Sequence, residues 1–159
     1  MTDLLRVEGL TRHFGGLAAV VDLHFRVAEG EIFGIIGPNG AGKTTAFSMI
    51  AGSLVPTAGS IRFRGQEIAG WPSPRVVHLG ICRTHQIPRP FTGMTVYENV
   101  EVGRRYGGRR TPPRGSIAGE IGRILEFTGL SGLSGTPAGA LPTGNRKRLE
   151  LARALATDP

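Results

Sequence analysis

An α/β fold, with strands first, a strand–loop–helix unit next and a mainly helical second half, is what this sequence predicts. Three observations carry that expectation. Short apolar runs with strand-like patterning fill the chain up to Ile36. A glycine-rich loop, Gly37 to Thr44, then leads into a run with helical spacing. After Gln86 the composition changes to prolines, glycines and further helical runs.

Leu5 to Leu10 mixes apolar and polar residues as a short strand does, and the glycines of Thr11 to Gly16 end it. Leu17 to Val27 alternates roughly from Val21 on and reads as a second strand, closed by the Glu29-Gly30 turn. Glu31 to Ile36 is a short apolar run bounded by glycine, the pattern of a buried sheet strand. Lys43 to Ala51 reads as a helix that buries Ala46, Phe47, Ile50 and Ala51, and Gly52, Pro56 and Gly59 break it. Ser60 to Arg64 is a strand, a short helix begins near Pro72 and Pro74, and Leu79 to His85 is another strand candidate. Thr95 is placed to cap a helix over Val96 to Val102. Tyr106 to Gly115 is polar, basic and loop-like. Ile117 to Phe127 reads as a helix, and Leu130 to Pro142 as mostly loop. Arg146 to Ala156 closes the series as a helix with Leu149, Ala152, Leu155 and Ala156 on one face and Arg146, Glu150 and Arg153 off it.

With 159 residues, the chain is one domain or part of a larger one. The formal charge of +7 is concentrated in two blocks, Arg104, Arg105, Arg109, Arg110 and Arg114, and Arg146, Lys147 and Arg148. Such an excess can fit nucleic acid, an acidic partner, anionic lipid or simply a basic soluble surface, and of these no nucleic-acid role is expected. The single cysteine, Cys82, allows no internal disulfide. No run of 18 apolar residues is present, and the first residues do not read as a secretory signal, so a cytosolic or partner-bound location is expected. His13, His24, His78, His85 and Cys82 show no metal-ligand spacing.

The chemistry concentrates at Gly37-Pro38-Asn39-Gly40-Ala41-Gly42-Lys43-Thr44, a full match to GxxxxGK[ST]. Glycines at 37, 40 and 42 let the backbone curl and turn its N–H groups inward. The helix after the loop adds its own N–H groups and positive end. In this motif Lys43 reaches the β- and γ-phosphates, and Thr44 offers its hydroxyl to Mg²⁺.

The wording Gly-Pro-Asn-Gly-Ala-Gly-Lys-Thr-Thr, through Thr45, resembles the ATP-binding subunit of ABC transporters. Other pieces fall in that family's order. Phe14, in Arg-His-Phe-Gly-Gly, matches the aromatic that stacks on adenine; a strand-end aromatic packed in the core is the other reading. Gln86, in Arg-Thr-His-Gln, matches the glutamine that helps coordinate Mg²⁺ and the attacking water and couples nucleotide state to the membrane subunits. Met94 to Val100 resembles the stretch that opens the helical subdomain. Leu141-Pro142-Thr143-Gly144-Asn145 and its following helix resemble the signature Leu-Ser-Gly-Gly-Gln, which contacts the ATP of a partner subunit. Here Pro142 stands where serine donates to the γ-phosphate, which puts the hydrolysis rate in doubt.

The resemblance implies a nucleotide-binding core over 1–86 and a helical subdomain over 87–159. It implies ATP and Mg²⁺ as cofactors, and Lys43 and Gln86 as the catalytic residues present. The Walker B aspartate and catalytic glutamate of the family have no counterpart before Pro159, so the C-terminal part of the core is expected to be missing. The implied partners are a second ATPase subunit, two transmembrane permease subunits and, indirectly, a periplasmic or lipid-anchored binding protein. The implied place is the cytoplasmic membrane face. Phe14 to Val20, Arg83 to Gln86 and Arg148 to Pro159 look most like importers of branched-chain amino acids, and urea or amide importers share much of this wording. A non-hydrolytic ATP-binding fragment that docks on membrane subunits is the alternative reading.

Overall fold

The computed structural model describes residues 3–108 and 116–159; Arg109, Arg110 and Arg114 of the basic block lie outside the described residues. The chain divides into two compact units, Met1–Val76 and Val77–Pro159.

The first unit is built on an antiparallel sheet. β1 (Asp3–Phe14) and β2 (Leu17–Ala28) form a long hairpin, and β3 (Ala58–Phe63) and β4 (Gln66–Glu67) extend it in the order β2-β1-β3-β4. β1 faces β2 with Val7 opposite Phe25, and faces β3 with Val7 opposite Ile61. Both strands run longer than the alternation alone indicates, because β1 is the inner strand and its ladders continue on both edges. Val7, Leu10 and Ile61 are fully buried on this sheet.

Helix α1 (Lys43–Ile50) comes directly after the glycine loop, as expected. It buries Ala46, Met49 and Ile50, while Phe47 remains 46% exposed. The expected burial of Phe47 fails because Met49 takes the inner position. α2 (Ser73–Val77) is the short helix expected at Pro72–Pro74.

Two expected strands do not form. Glu31 to Ile36 has no regular structure, and Ile32 and Ile36 are almost wholly exposed. A strand needs a neighbour to take its N–H and C=O groups, and no strand among the described residues pairs with this segment. It is held at its start by Glu31, whose carboxylate accepts from the Ala28 N–H at 2.7 Å, and by Phe33 stacked on Phe25 at 5.0 Å. The Leu79–His85 run is likewise irregular, for the same lack of a ladder.

The second unit is helical. α3 (Val96–Tyr106), α4 (Ile117–Phe127) and α5 (Thr143–Leu155) enclose a core of Val96, Val100, Ile121, Leu125, Leu130, Leu141, Leu149 and Ala152. α3 continues past Val102 to Tyr106, taking in the start of the expected loop. At its Gly103 a Cβ would lie 2.6 Å from the Arg153 carbonyl oxygen, so glycine permits the close crossing with α5. Arg104 on α3 and Glu120 on α4 form an ion pair with side chains only 11% and 16% exposed. The Leu130–Pro142 stretch contains two short 3₁₀ turns, Ser131–Leu133 and Ala138–Ala140. α5 starts at Thr143, ahead of the expected Arg146, because Pro142 sets the first turn: its carbonyl accepts from the N–H groups of Asn145 and Arg146, both at 3.0 Å. Glu150, expected off the buried face, is buried and pairs with Arg153 at 3.2 Å.

Candidate functional site

The glycine loop turns by way of Ala41 N–H to Pro38 C=O at 3.2 Å. Gly40 and Gly42 both take positive φ, 86° and 80°, a region that side chains rarely adopt. At Gly42 a Cβ would lie 2.2 Å from the Ala19 carbonyl oxygen on β2, so the loop is seated directly against the hairpin. Gly42 then caps α1, with no side chain bonding to the first turn. The first N–H groups of α1 are thereby left for an outside acceptor. No acidic residue sits in that first turn to compete for them. Lys43 Nζ donates to the carbonyls of Gly37 at 2.5 Å and Pro38 at 2.7 Å, which fixes an ammonium beside the loop. Thr44, Asn39 and Pro38 are placed along this loop and the start of α1, and Thr45 is one residue further into the helix. A curled backbone, an uncapped helix N-terminus and a held cation form a cradle that fits a polyphosphate.

Phe14 ends β1, 45% exposed, with the Arg12 guanidinium 4.7 Å from its ring centroid. It is therefore not a core aromatic, and the Arg12 guanidinium lies over its ring. Phe14 closes β1 and the glycine loop rests on β2, so a single hairpin carries both.

In the second unit Gln86 is exposed in an irregular stretch, and Ile87 beside it is 75% exposed. A cavity of ≈ 440 Å³ lies next to this stretch, lined among others by Cys82, Arg83, His85, Arg89 and Arg153. The residues of the signature-like motif are together at the head of α5. Leu141 is buried; Pro142, Thr143 and Gly144 are exposed; Asn145 is half-buried. Pro142 is the N-cap and supplies no side-chain cap. Its ring offers no hydroxyl where serine would stand.

Two further residues shape the site, although neither is singled out as a site residue by the sequence. Asn99 is fully buried on α3. Its side chain accepts from the Phe91 N–H at 2.8 Å and donates to the carbonyls of Phe91 at 3.0 Å, Met94 at 3.3 Å and Thr95 at 2.9 Å. It thus fixes the loop that leads from the Gln86 stretch into α3. The sequence does hold a signal for it: an asparagine at the helical spacing of Val96 and Val100 is a polar residue on a buried face. Arg146 is the second, donating back to the carbonyls of Leu141 at 2.8 Å and Gly139 at 2.7 Å. No pattern in the sequence marks that reach.

α3 itself begins with a reciprocal cap. The Glu98 N–H bonds the Thr95 hydroxyl at 3.2 Å, and the Glu98 carboxylate accepts from the Thr95 N–H at 2.7 Å. The Thr95 backbone N–H first, then its hydroxyl, hold the Glu98 carboxyl below the usual glutamate range.

The chain is similar to known proteins in sequence and in fold. A family model described as "ABC transporter" matches residues 20–159. The chain is 38% identical to the high-affinity branched-chain amino acid transport ATP-binding protein BraF of Pseudomonas aeruginosa, across 98% of this chain and 66% of that protein. The same figures hold for LivG of Escherichia coli, which carries the same description. It is 37% identical to the Nod factor export ATP-binding protein I of Ralstonia nicotianae, across 99% of this chain and 48% of that one. The chain thus spans just under two thirds of the length of the first two relatives. Among solved structures, it is similar to the ADP conformation of an ATP-binding cassette of an ABC transporter, with a TM-score of 0.85 and 34% identity over 100% of this chain and 66% of that one.

Proposed function

This chain belongs to the ABC transporter family, and from that premise we propose that it is an ATP-binding subunit that energises import of branched-chain amino acids. The observation that carries the ATP reading is the loop seated on β2 at Gly42, with Lys43 held over the Gly37 and Pro38 carbonyls. Phe14 is the proposed adenine contact, Gly37 to Thr45 the phosphate contacts, and Thr44 the residue toward Mg²⁺. Bound ATP with Mg²⁺ would supply the free energy of the transport cycle. Lys43 neutralises phosphate charge, and the N–H groups of α1 receive the oxygens.

Leu141 to Asn145 is the proposed surface toward ATP held by a second subunit. The electrostatics of α5 support this. Its first turn has no carboxylate, and Arg146, Lys147 and Arg148 follow at the positive end of the helix. That arrangement is self-repelling when empty and relieved by an anion. The exposed Ile87, the half-exposed Phe91 and the cationic cleft at Arg83 and Arg89 support docking of permease subunits on this side. The proposed place is the cytoplasmic face of the membrane, as a peripheral subunit. No helix among the described residues is long and apolar enough to cross a membrane. The amino-acid substrate rests on the printed descriptions of relatives such as BraF and LivG, and urea or amides are the competing substrates.

A second reading, an ATP-binding module without turnover, is favoured by Pro142 at the N-cap of α5, where no hydroxyl is available. Reconstitution with the membrane subunits tests both. ATP-dependent leucine uptake with measurable phosphate release is the expected result. Uptake of urea alone would overturn the substrate, and ATP binding without phosphate release would select the second reading.

A further inference from the structure

Arg146 makes an unusual pair of bonds. Its Nε donates to the Leu141 carbonyl at 2.8 Å and its Nη2 to the Gly139 carbonyl at 2.7 Å. The side chain therefore reaches back from the first turn of α5 across the whole signature-like loop. It does so beside the positive end of the helix, where a cation is disfavoured. Only a specific gain keeps it there, and two charge-assisted bonds supply it. Pro142 contributes its carbonyl to the first turn of α5 but no side-chain bond, because its ring carries no hydroxyl.

The far end of this clamp is itself fixed. The Gly139 N–H bonds the Thr92 carbonyl at 3.1 Å, and the Ala138 N–H bonds the Met94 carbonyl at 2.9 Å. The Val96 N–H bonds the Thr136 carbonyl at 3.0 Å, and Thr95 bridges Pro137. Thr92 to Val96 is in turn the segment that Asn99 holds through Met94 and Thr95. Arg146 thus ties the head of α5 to the segment that opens α3.

We propose that Arg146 is a positioning residue: it fixes the backbone of Leu141 to Gly144 so that the exposed N–H groups of Thr143 and Gly144 face the terminal phosphate of ATP bound by a second copy. The inference rests on the reading of Leu141–Asn145 as the surface that closes on a partner's nucleotide. Thr143 and Gly144 occupy the first two helical positions, where no acceptor within the helix reaches their N–H groups. With no serine hydroxyl at 142, backbone donors carry the contact, and their direction is set by what holds the loop. Arg146 needs no contact with the nucleotide to do this.

The test uses the full chain and two measurements on each variant. Binding of MgATP at low protein concentration reads the Gly37–Thr44 loop alone. Sedimentation at rising protein concentration with and without MgATP reads closure of two copies. For Arg146→Ala, ATP affinity stays within about twofold of wild type, and ATP-driven association weakens about tenfold to a hundredfold, the worth of a charged hydrogen bond. Arg146→Lys keeps the charge and one donor direction, and falls between the two. It also serves as the readout if Arg146→Ala fails to fold. Association of both variants at wild-type strength overturns the role of Arg146 while leaving ATP binding intact. So does an equal loss of ATP affinity and association, which marks a general structural role. Wild-type chain that binds ATP but never associates also overturns it. Wild-type chain that does not bind ATP overturns the ATP-binding reading itself, and this inference with it.

Discussion

Gly42 is the residue on which the phosphate cradle is most tightly fitted. Any Cβ there meets the Ala19 carbonyl at 2.2 Å, in a backbone conformation with φ of 80°. Gly42→Ala must therefore either lift the loop from β2 or unwind the first turn of α1. A cost of about 1–3 kcal/mol is expected, read as a lowered melting temperature together with lost ATP affinity. Lys43→Ala differs in kind. It leaves the fold intact, because the ammonium bonds loop carbonyls, and removes the cation proposed to meet phosphate. Titration of MgATP is expected to show affinity reduced at least about tenfold. The glycines and Lys43 are legible in the sequence because the motif is local. Arg146 is not, since its partners are set by how the chain returns on itself, and for Asn99 only the buried polar position on α3 is legible, not its partners.

At the scale of elements, the caps decide more than the apolar pattern does. α3 begins where Thr95 and Glu98 bond each other's backbone, and Thr95 is legible as a cap from its type and place. Thr95→Ala is expected to destabilise the helical unit by about 1 kcal/mol, seen in a thermal melt. The Glu98 carboxyl has a folded pKa below its unfolded one. Its contribution is thus present above the ordinary glutamate range and lost as pH falls through the lowered folded value. A ¹³C titration of the Glu98 carboxyl, compared between wild type and Thr95→Ala, checks this: the midpoint rises toward the ordinary value in the variant. Asn99→Ala leaves the Phe91 N–H without its side-chain acceptor and removes a donor from three carbonyls. A loss of about 2–4 kcal/mol is expected from these unmet groups, measured by denaturant unfolding. The two absent strands show the opposite limit. Glu31 to Ile36 has the composition of a buried strand, yet a strand is a property of two segments, and no partner segment pairs with it among the described residues.

At the scale of the whole molecule, the chain divides into two compact units, Met1–Val76 with the glycine loop and Val77–Pro159 with the signature-like loop. The fold is that of an ABC ATPase, with an antiparallel N-terminal sheet and a helical subdomain. The sequence order of motifs makes that architecture readable, because each motif is tied to a kind of element: a glycine loop before α1, a threonine cap before α3, a proline cap before α5. The division at Val76–Val77 reflects packing, whereas the functional division proposed after Gln86 follows the family's motifs. The central claim is that the Gly37–Thr44 loop binds ATP. Isothermal titration of MgATP into the full chain tests it most directly, beside Lys43→Ala. A single saturable site in the wild type, lost or weakened at least about tenfold in Lys43→Ala, is the predicted result. No binding heat at any concentration, or equal binding by both proteins, would contradict it.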